Sequence, residues 1–216
     1  MGFGILIFGY LFLTDVQLAV NTEYNIGFDV LPDLIGFIIM FRALSMLRAS
    51  YSPFDTPRKV IFPLFCTSFV SLVCQAISFF NVAPSLISRI LQILTYSECI
   101  LLILFHVALF KAAKELAKEI ELDDLAGFLG RGLVLSAVFY SLHLVLMVLA
   151  PYSANMGSLT PFFNLTYYIS LLFQYFVLFY NIFAIYKCYM YIGYEGEDTS
   201  MDVKHPLQRL LDKLKK

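Results

Sequence analysis

Charged residues are scarce in this sequence: they make up 14% of its 216 residues, whereas 60% are hydrophobic. Soluble domains usually carry about 25% charged and about 45–50% apolar residues. The mean hydropathy of +0.78 departs from a soluble protein in the same direction. The shortage of charge therefore argues against an ordinary soluble domain and predicts an integral membrane protein.

The sequence also lacks the short motifs that carry common enzyme and cofactor chemistry. It has no His-Glu-x-x-His, no Gly-x-Ser-x-Gly, no Walker loop and no Gly-x-Gly-x-x-Gly. Its four cysteines show neither a Cys-x-x-Cys pair nor a metal-ligand spacing. We therefore predict no catalytic residue, cofactor, metal or nucleic-acid partner. An intramembrane enzyme that uses Glu98 and His143 stays open as a less favoured alternative.

What the sequence does contain is six apolar runs, each close to the roughly 20 residues that a helix needs to cross a bilayer. Helices are expected because backbone groups in lipid must be satisfied within the segment, and the runs lack the alternation of barrel strands. We predict an all-α polytopic bundle with one transmembrane domain over residues 1–192. The six predicted spans cover residues 4–20, 28–47, 60–80, 90–110, 133–150 and 165–186.

The basic residues predict the orientation of these spans. With an inside N-terminus, every Lys and Arg except Arg89 falls on the cytoplasmic side, as the positive-inside rule requires. We therefore expect both termini in the cytoplasm and a location in the plasma membrane. The lipid bilayer is the expected partner.

The tail over residues 193–216 has a pattern of its own. Leu207, Leu210, Leu211 and Leu214 repeat at helical spacing among basic residues. This pattern predicts a basic amphipathic helix on an anionic inner leaflet. The alternative is a frayed, soluble tail.

Acidic residues collect around the connection of the first two spans. Asp15, Asp29 and Asp33 lie there, and Arg42 follows Asp33 by nine residues. Asp29 and Asp33 are four apart and would share a face of a helix that began near residue 27. One interpretation is an acidic vestibule for a cation or an amine. The others are an ordinary helix start that faces water, or a second span that is short.

Polar side chains also occur inside four of the spans, where charge costs about 2.5–3.5 kcal/mol and usually faces the bundle interior. Two hypotheses stay open for them: a pocket or path for a small polar solute, or polar contacts that only hold helices together. In the first, Glu98 is the titratable centre. Together with the acidic connection, the candidate pocket or ion-binding residues are Glu98, Asp33, Asp29, Asp15, Arg42, His143, His106, Gln75, Gln92 and Gln174.

The segment FDVLPDLIGFIIM over residues 28–40, followed by Arg42-Ala43-Leu44, resembles a signature of small, uncharacterised membrane proteins of Gram-positive bacteria. The opening residues, from Gly2-Phe3-Gly4 to Gly9-Tyr10, are similar too. The resemblance implies helical spans in a bacterial plasma membrane, and it carries no known activity.

These observations favour solute or ion transport, or solute binding, through a polar intramembrane pocket. The chain is short for a stand-alone transporter, so a homo-oligomer or a partner membrane subunit is expected. The rival hypothesis is an accessory, regulatory or assembly protein whose buried polar groups are structural.

Overall fold

The structure, a computed structural model, describes residues 2–13, 17–21, 26–29, 33–78, 80, 83–155 and 157–192. Within these residues it contains six α-helices and one two-stranded antiparallel hairpin between the first two helices. The predicted helical architecture is confirmed, with the hairpin as the exception. The elements are α1 (Gly2–Leu11), β1 (Gln17–Asn21), β2 (Ile26–Asp29), α2 (Asp33–Ser50), α3 (Asp55–Ser78), α4 (Pro84–Glu119), α5 (Asp123–Leu149) and α6 (Thr160–Ile192).

Four helical segments are long and apolar enough to cross a membrane. They contain α3 to α6 and cover the third to sixth predicted spans almost completely. Large apolar side chains remain exposed along them, which fits contact with lipid. The segments are Ser52–Ser78, Pro84–Glu119, Asp123–Ser153 and Gly157–Ile192.

The first predicted span is not one continuous helix. The expectation of a helix over residues 4–20 is wrong in its second half, because α1 ends at Leu11 and β1 covers Gln17–Asn21. With ten residues, α1 is about 15 Å long. The residues of β1 alternate between polar or small and larger apolar side chains, a two-residue period that is typical of a strand.

The second predicted span begins later than expected. Phe28 and Asp29 belong to β2, and α2 runs over Asp33–Ser50. The prediction that Asp29 and Asp33 share a helix face is therefore wrong, and the alternative of a short second helix agrees with the structure. The helix carries Asp33, Arg42 and Arg48 within 18 residues, and it is not among the helices that are long and apolar enough to cross a membrane.

The helices form a closed ring. Each packs against its neighbours in the sequence, and α1 also packs against α6. We call one end of the ring the basic end: α3 and α5 begin there, α4 and α6 end there, and Arg58, Lys59, Lys118 and Lys187 lie near it. This alternation follows from short connections between antiparallel neighbours.

Two features fix the geometry of neighbouring helices. Between α1 and α2, a Cβ on Gly36 would lie 2.8 Å from the carbonyl oxygen of Gly9, so only glycine allows this approach. Between α4 and α5, Glu121 takes a φ of 61° and Leu122 donates its N–H to the carbonyl of Ala117 at 2.8 Å. This turn ends α4 and reverses the chain into α5.

A cavity lined by five helices as the candidate functional site

A cavity of about 480 Å³ lies inside the ring, in the half away from the basic end. Pockets for small molecules usually measure about 300–1,000 Å³. Its wall combines side chains of α2 to α6 with Leu13, just after α1. The cavity is therefore large enough for a small solute and is built by nearly the whole bundle.

Five of the residues predicted from the sequence line this cavity, one from each of five helices. They are Asp33 on α2, Gln75 on α3, Glu98 on α4, His143 on α5 and Gln174 on α6. Positions that are far apart in the sequence thus meet because each polar side chain points into the ring.

The lining is acidic and aromatic. It holds the carboxyl groups of Asp33 and Glu98, whereas the described lining residues include no Lys or Arg. Three tyrosines add hydroxyl groups and ring faces: Tyr140, Tyr167 and Tyr175. Asp33 also occupies the first turn of α2, where the helix dipole stabilises negative charge. Such a wall suits a ligand that carries positive charge or several hydrogen-bond donors.

His143 is held in one orientation by α6. Its Nδ1 lies 3.1 Å from the hydroxyl oxygen of Ser170, and that hydroxyl donates to the carbonyl of Tyr167 at 2.7 Å. The single hydroxyl proton of Ser170 is thereby used, so the Nδ1–H of His143 must be the donor between them. In the neutral ring, Nε2 is then an acceptor, which again suits a ligand with donor groups.

Of the other five predicted residues, the three whose side chains are described do not line the cavity. Asp15 lies outside the described residues, and Asp29 belongs to β2, where only the backbone is described. Arg42 is exposed on α2. Gln92 is exposed on α4 and donates to the Tyr96 hydroxyl at 2.6 Å. His106 is fully buried next to the cavity.

His106 belongs to an aromatic layer that fills the ring between the cavity and the basic end. Its ring stacks on Tyr140, a cavity residue, with centroids 5.0 Å apart, and contacts Tyr10 at 5.8 Å and Phe105 at 5.4 Å. Its Nδ1 donates to the carbonyl of Leu102 at 2.7 Å. We call Tyr10, Phe105, His106 and Tyr140 the aromatic layer. It forms the floor of the cavity.

No known protein family matches this sequence, and no curated protein or solved structure is significantly similar to it. Function therefore has to be inferred from the chemistry of the cavity.

Other polar side chains serve to join helices. Ser136 on α5 donates to the side-chain oxygen of Asn181 on α6 at 3.0 Å, and both residues are fully buried. Nearby, the hydroxyl of Tyr180 donates to the carbonyl of Phe128 at 3.2 Å. Hydrogen bonds between helices thus occur in both halves of the ring, whereas the polar residues that line the cavity lie in the half away from the basic end.

Across the described residues, no group of three or more His, Cys, Asp and Glu side chains is placed to hold a metal ion. Glu98 and His143 do line the same cavity, as the enzyme alternative requires. Sequence reasoning missed Tyr10 and Tyr175, whose only signal was a tyrosine within an apolar run.

Proposed function

We propose that the protein binds a small cationic solute in the central cavity and acts as a transporter or as a solute-binding membrane subunit. The observation that carries this proposal is the meeting of Asp33, Gln75, Glu98, His143 and Gln174 in one cavity. Polar side chains inside membrane helices are costly. Their collection around an open space of this size is what a ligand site requires.

The preference for a cation follows from charge and hydrogen-bonding capacity. Two carboxyl groups supply negative charge, and His143 presents an acceptor nitrogen. Tyrosine faces attract cations with about 0.5–2 kcal/mol, more when water is excluded. Small amines and monovalent metal ions are the solutes that this set of groups suits best.

We propose a topology of six crossings with both termini in the cytoplasm of a bacterial cell. In support, Gly2 packs near Leu47 at the basic end, where α6 also ends. The short α1 and α2 would make the first two crossings together with the hairpin, since α1 alone is about 15 Å long and a bilayer core is about 30 Å thick. The cavity then lies in the outer half of the plasma membrane. The resemblance of residues 28–44 to Gram-positive membrane proteins supports the cellular location.

A thiol-labelling experiment tests the charge and the opening of the cavity. Gln174→Cys is made in a full-length protein without the native cysteines and is labelled with cationic and anionic methanethiosulfonates of similar size. We expect the cationic reagent to react at least about fivefold faster, since a nearby carboxylate contributes more than 1 kcal/mol at low dielectric. Glu98→Gln should reduce this preference, and Glu115→Gln, on the exposed part of the same helix, should not.

Binding is tested separately with ammonium, methylammonium, choline and potassium against glucose and succinate. At least one of the cations should raise the melting temperature of the wild type and not that of Glu98→Gln. Equal labelling by both reagents, together with stabilisation only by succinate or glucose, would contradict the proposal.

The aromatic layer favours a second candidate, an accessory or assembly protein that does not transport. Tyr10 and His106 are fully buried and in contact, and they fill the ring toward the basic end. A cation that binds to the cavity without crossing vesicles would favour a binding or regulatory role. We further propose that the chain works as a homo-oligomer or with a membrane partner, because it is short for an independent transporter.

A further inference from the structure

A second depression lies on the outer surface of the α4–α5 pair, near the basic end. Its volume is about 560 Å³. Two glycines leave its floor without side chains: a Cβ on Gly127 would meet nothing within 4 Å, and one on Gly130 would lie 3.3 Å from the Nζ of Lys114. The ammonium group of Lys114 therefore lies over the floor. We call this depression the lipid groove; its lining is Lys114, Gly127, Gly130, Arg131, Val134 and Leu135.

The lipid groove is positively charged. Lys114 and Arg131 line it, and the guanidinium of Arg131 lies 5.7 Å from the ring centroid of Phe128. Lys187 of α6 lies 4.0 Å from the same centroid. Within the described part of the chain, none of these three cations has a carboxylate within 4 Å; the ion pairs there all involve Asp55. The groove therefore attracts an anion.

An apolar surface continues from the groove along α5. Val134, Val138, Leu142 and Val145 follow one another at steps of four, four and three residues, and they are between 53% and 62% exposed. These steps place them on one face of the helix. Because α4 and α5 are long and apolar enough to cross a bilayer, this face would meet acyl chains.

We propose that the lipid groove binds an anionic phospholipid, with its phosphate between Lys114 and Arg131 and an acyl chain along Val134 and Val138. Both basic residues lie where the apolar runs of α4 and α5 end, which is the depth of lipid headgroups. Basic pockets between transmembrane helices are known to hold such headgroups. The proposal is independent of the solute in the central cavity and requires only that α4 and α5 cross the bilayer.

The test is a lipid titration of the full-length protein in detergent, followed by native mass spectrometry. Phosphatidylglycerol and phosphatidylcholine with identical acyl chains are the two probes. We expect phosphatidylglycerol to bind more tightly to the wild type. Lys114→Gln and Arg131→Gln should each weaken it about fivefold, the effect of one basic residue near a membrane surface, and leave phosphatidylcholine unchanged. Lys118→Gln, one turn along α4 and outside the groove, is the matched control.

Three outcomes would overturn the proposal. The wild type could bind both lipids equally, or Lys118→Gln could lose as much affinity for phosphatidylglycerol as Lys114→Gln and Arg131→Gln do. The third is that inorganic phosphate competes for the groove as strongly as the lipid does. The last would assign the groove to a free anion. Arg131→Lys keeps the charge and should retain most of the affinity, which separates loss of charge from loss of fold. Each variant is first shown to elute as the same species as the wild type.

Discussion

Hydrogen bonds between individual buried side chains stabilise the contact of α5 with α6 in lipid. Ser136 and Asn181 are fully buried, and the hydroxyl of Ser136 donates to the side-chain oxygen of Asn181 across the two helices. A polar group without a partner at such a place has no water with which it could form a hydrogen bond. The same contact is continued farther from the basic end by His143 and Ser170, so two hydrogen bonds hold this edge of the cavity wall.

A double-mutant cycle measures the first of these bonds. Ser136→Ala and Asn181→Ala should show a coupling free energy of unfolding of about 0.6 kcal/mol, with about 1.7 kcal/mol as an upper limit for such pairs in membranes. Ser97→Ala with Asn181→Ala is the control, because Ser97 bonds to Ile93 in its own helix. A coupling of zero for Ser136 and Asn181 would contradict the hydrogen bond.

Tyr51 gives a prediction for alkaline pH. It lies between α2 and α3 and donates to the carboxylate of Glu119 at 3.0 Å. Partial desolvation raises the pKa of Tyr51, and the hydrogen bond to Glu119 raises it further. Because the folded-state pKa exceeds the unfolded value of about 10, the stabilisation is complete below pH 10 and is lost as the pH rises through the folded-state pKa.

We therefore expect Tyr51→Phe to be less stable than the wild type at pH 8, and this difference to shrink above about pH 10. Melting temperatures of Tyr51→Phe and the wild type, measured from pH 8 to pH 11, test this prediction. Tyr152→Phe, at an exposed position, is the control and should follow the wild type. A constant difference across this range would disprove the role of the Tyr51 hydroxyl.

The candidate site was partly predictable at this scale. Gln75, Glu98 and His143 stand out because each interrupts an apolar run, and a buried polar group needs a partner or a cavity. Gln92 gives the same signal but lies on the surface, because spacing along a helix cannot tell which part of a polar half turns inward. For Tyr10 and Tyr175 the only signal is a tyrosine within an apolar run, and it does not discriminate, since tyrosine occurs both in cores and at membrane interfaces.

The backbones of α1 and α2 approach each other closely at Gly36. A Cβ on Gly36 would meet backbone of α1, which cannot rotate away as a side chain does. Small residues are what allow two helices to approach this closely in lipid. The packing of the short α1 therefore depends on glycine rather than on length.

We expect Gly36→Ala to lower the free energy of unfolding by roughly 1–3 kcal/mol, the usual cost of overpacking. Gly127→Ala is the matched control: its Cβ meets nothing, and alanine favours a helix by up to about 1 kcal/mol. Denaturation in the same detergent compares the two. If Gly36→Ala were as stable as Gly127→Ala, the close approach of α1 and α2 would be wrong.

The four long helices could be predicted because each contains a long apolar run with at most two charged residues in 18. The first two could not be delimited, since β1 covers only five residues and its alternation is hidden next to the apolar residues of α1. The position of Asp33 at the start of α2, with Asp29 in a strand, depends on pairing between Gln17–Asn21 and Ile26–Asp29. Such pairing is a tertiary interaction that local propensity does not encode.

Taken as a whole, the molecule has an open half and a filled half. The cavity occupies the first, and the aromatic layer separates it from the second. Within the layer, His106 has a matched control for substitution, because His143 is also a histidine but lies in the cavity wall.

His106→Ala should therefore raise the passage of methylammonium into vesicles that contain the protein, whereas His143→Ala should not. The uptake of radiolabelled methylammonium into reconstituted vesicles measures it. Unchanged uptake in His106→Ala, with the variant folded, would mean that the layer is not the barrier.

The contact of α1 with α6 has a consequence for synthesis. Gly4 lies against Tyr189, so residues 185 positions apart in the sequence must meet. Until α6 is made, α1 lacks one of its two neighbours in the ring, and Asp33 and Glu98 face an unfinished wall. The nascent protein must therefore hold these carboxyl groups in a partly formed wall until the ribosome has made α6.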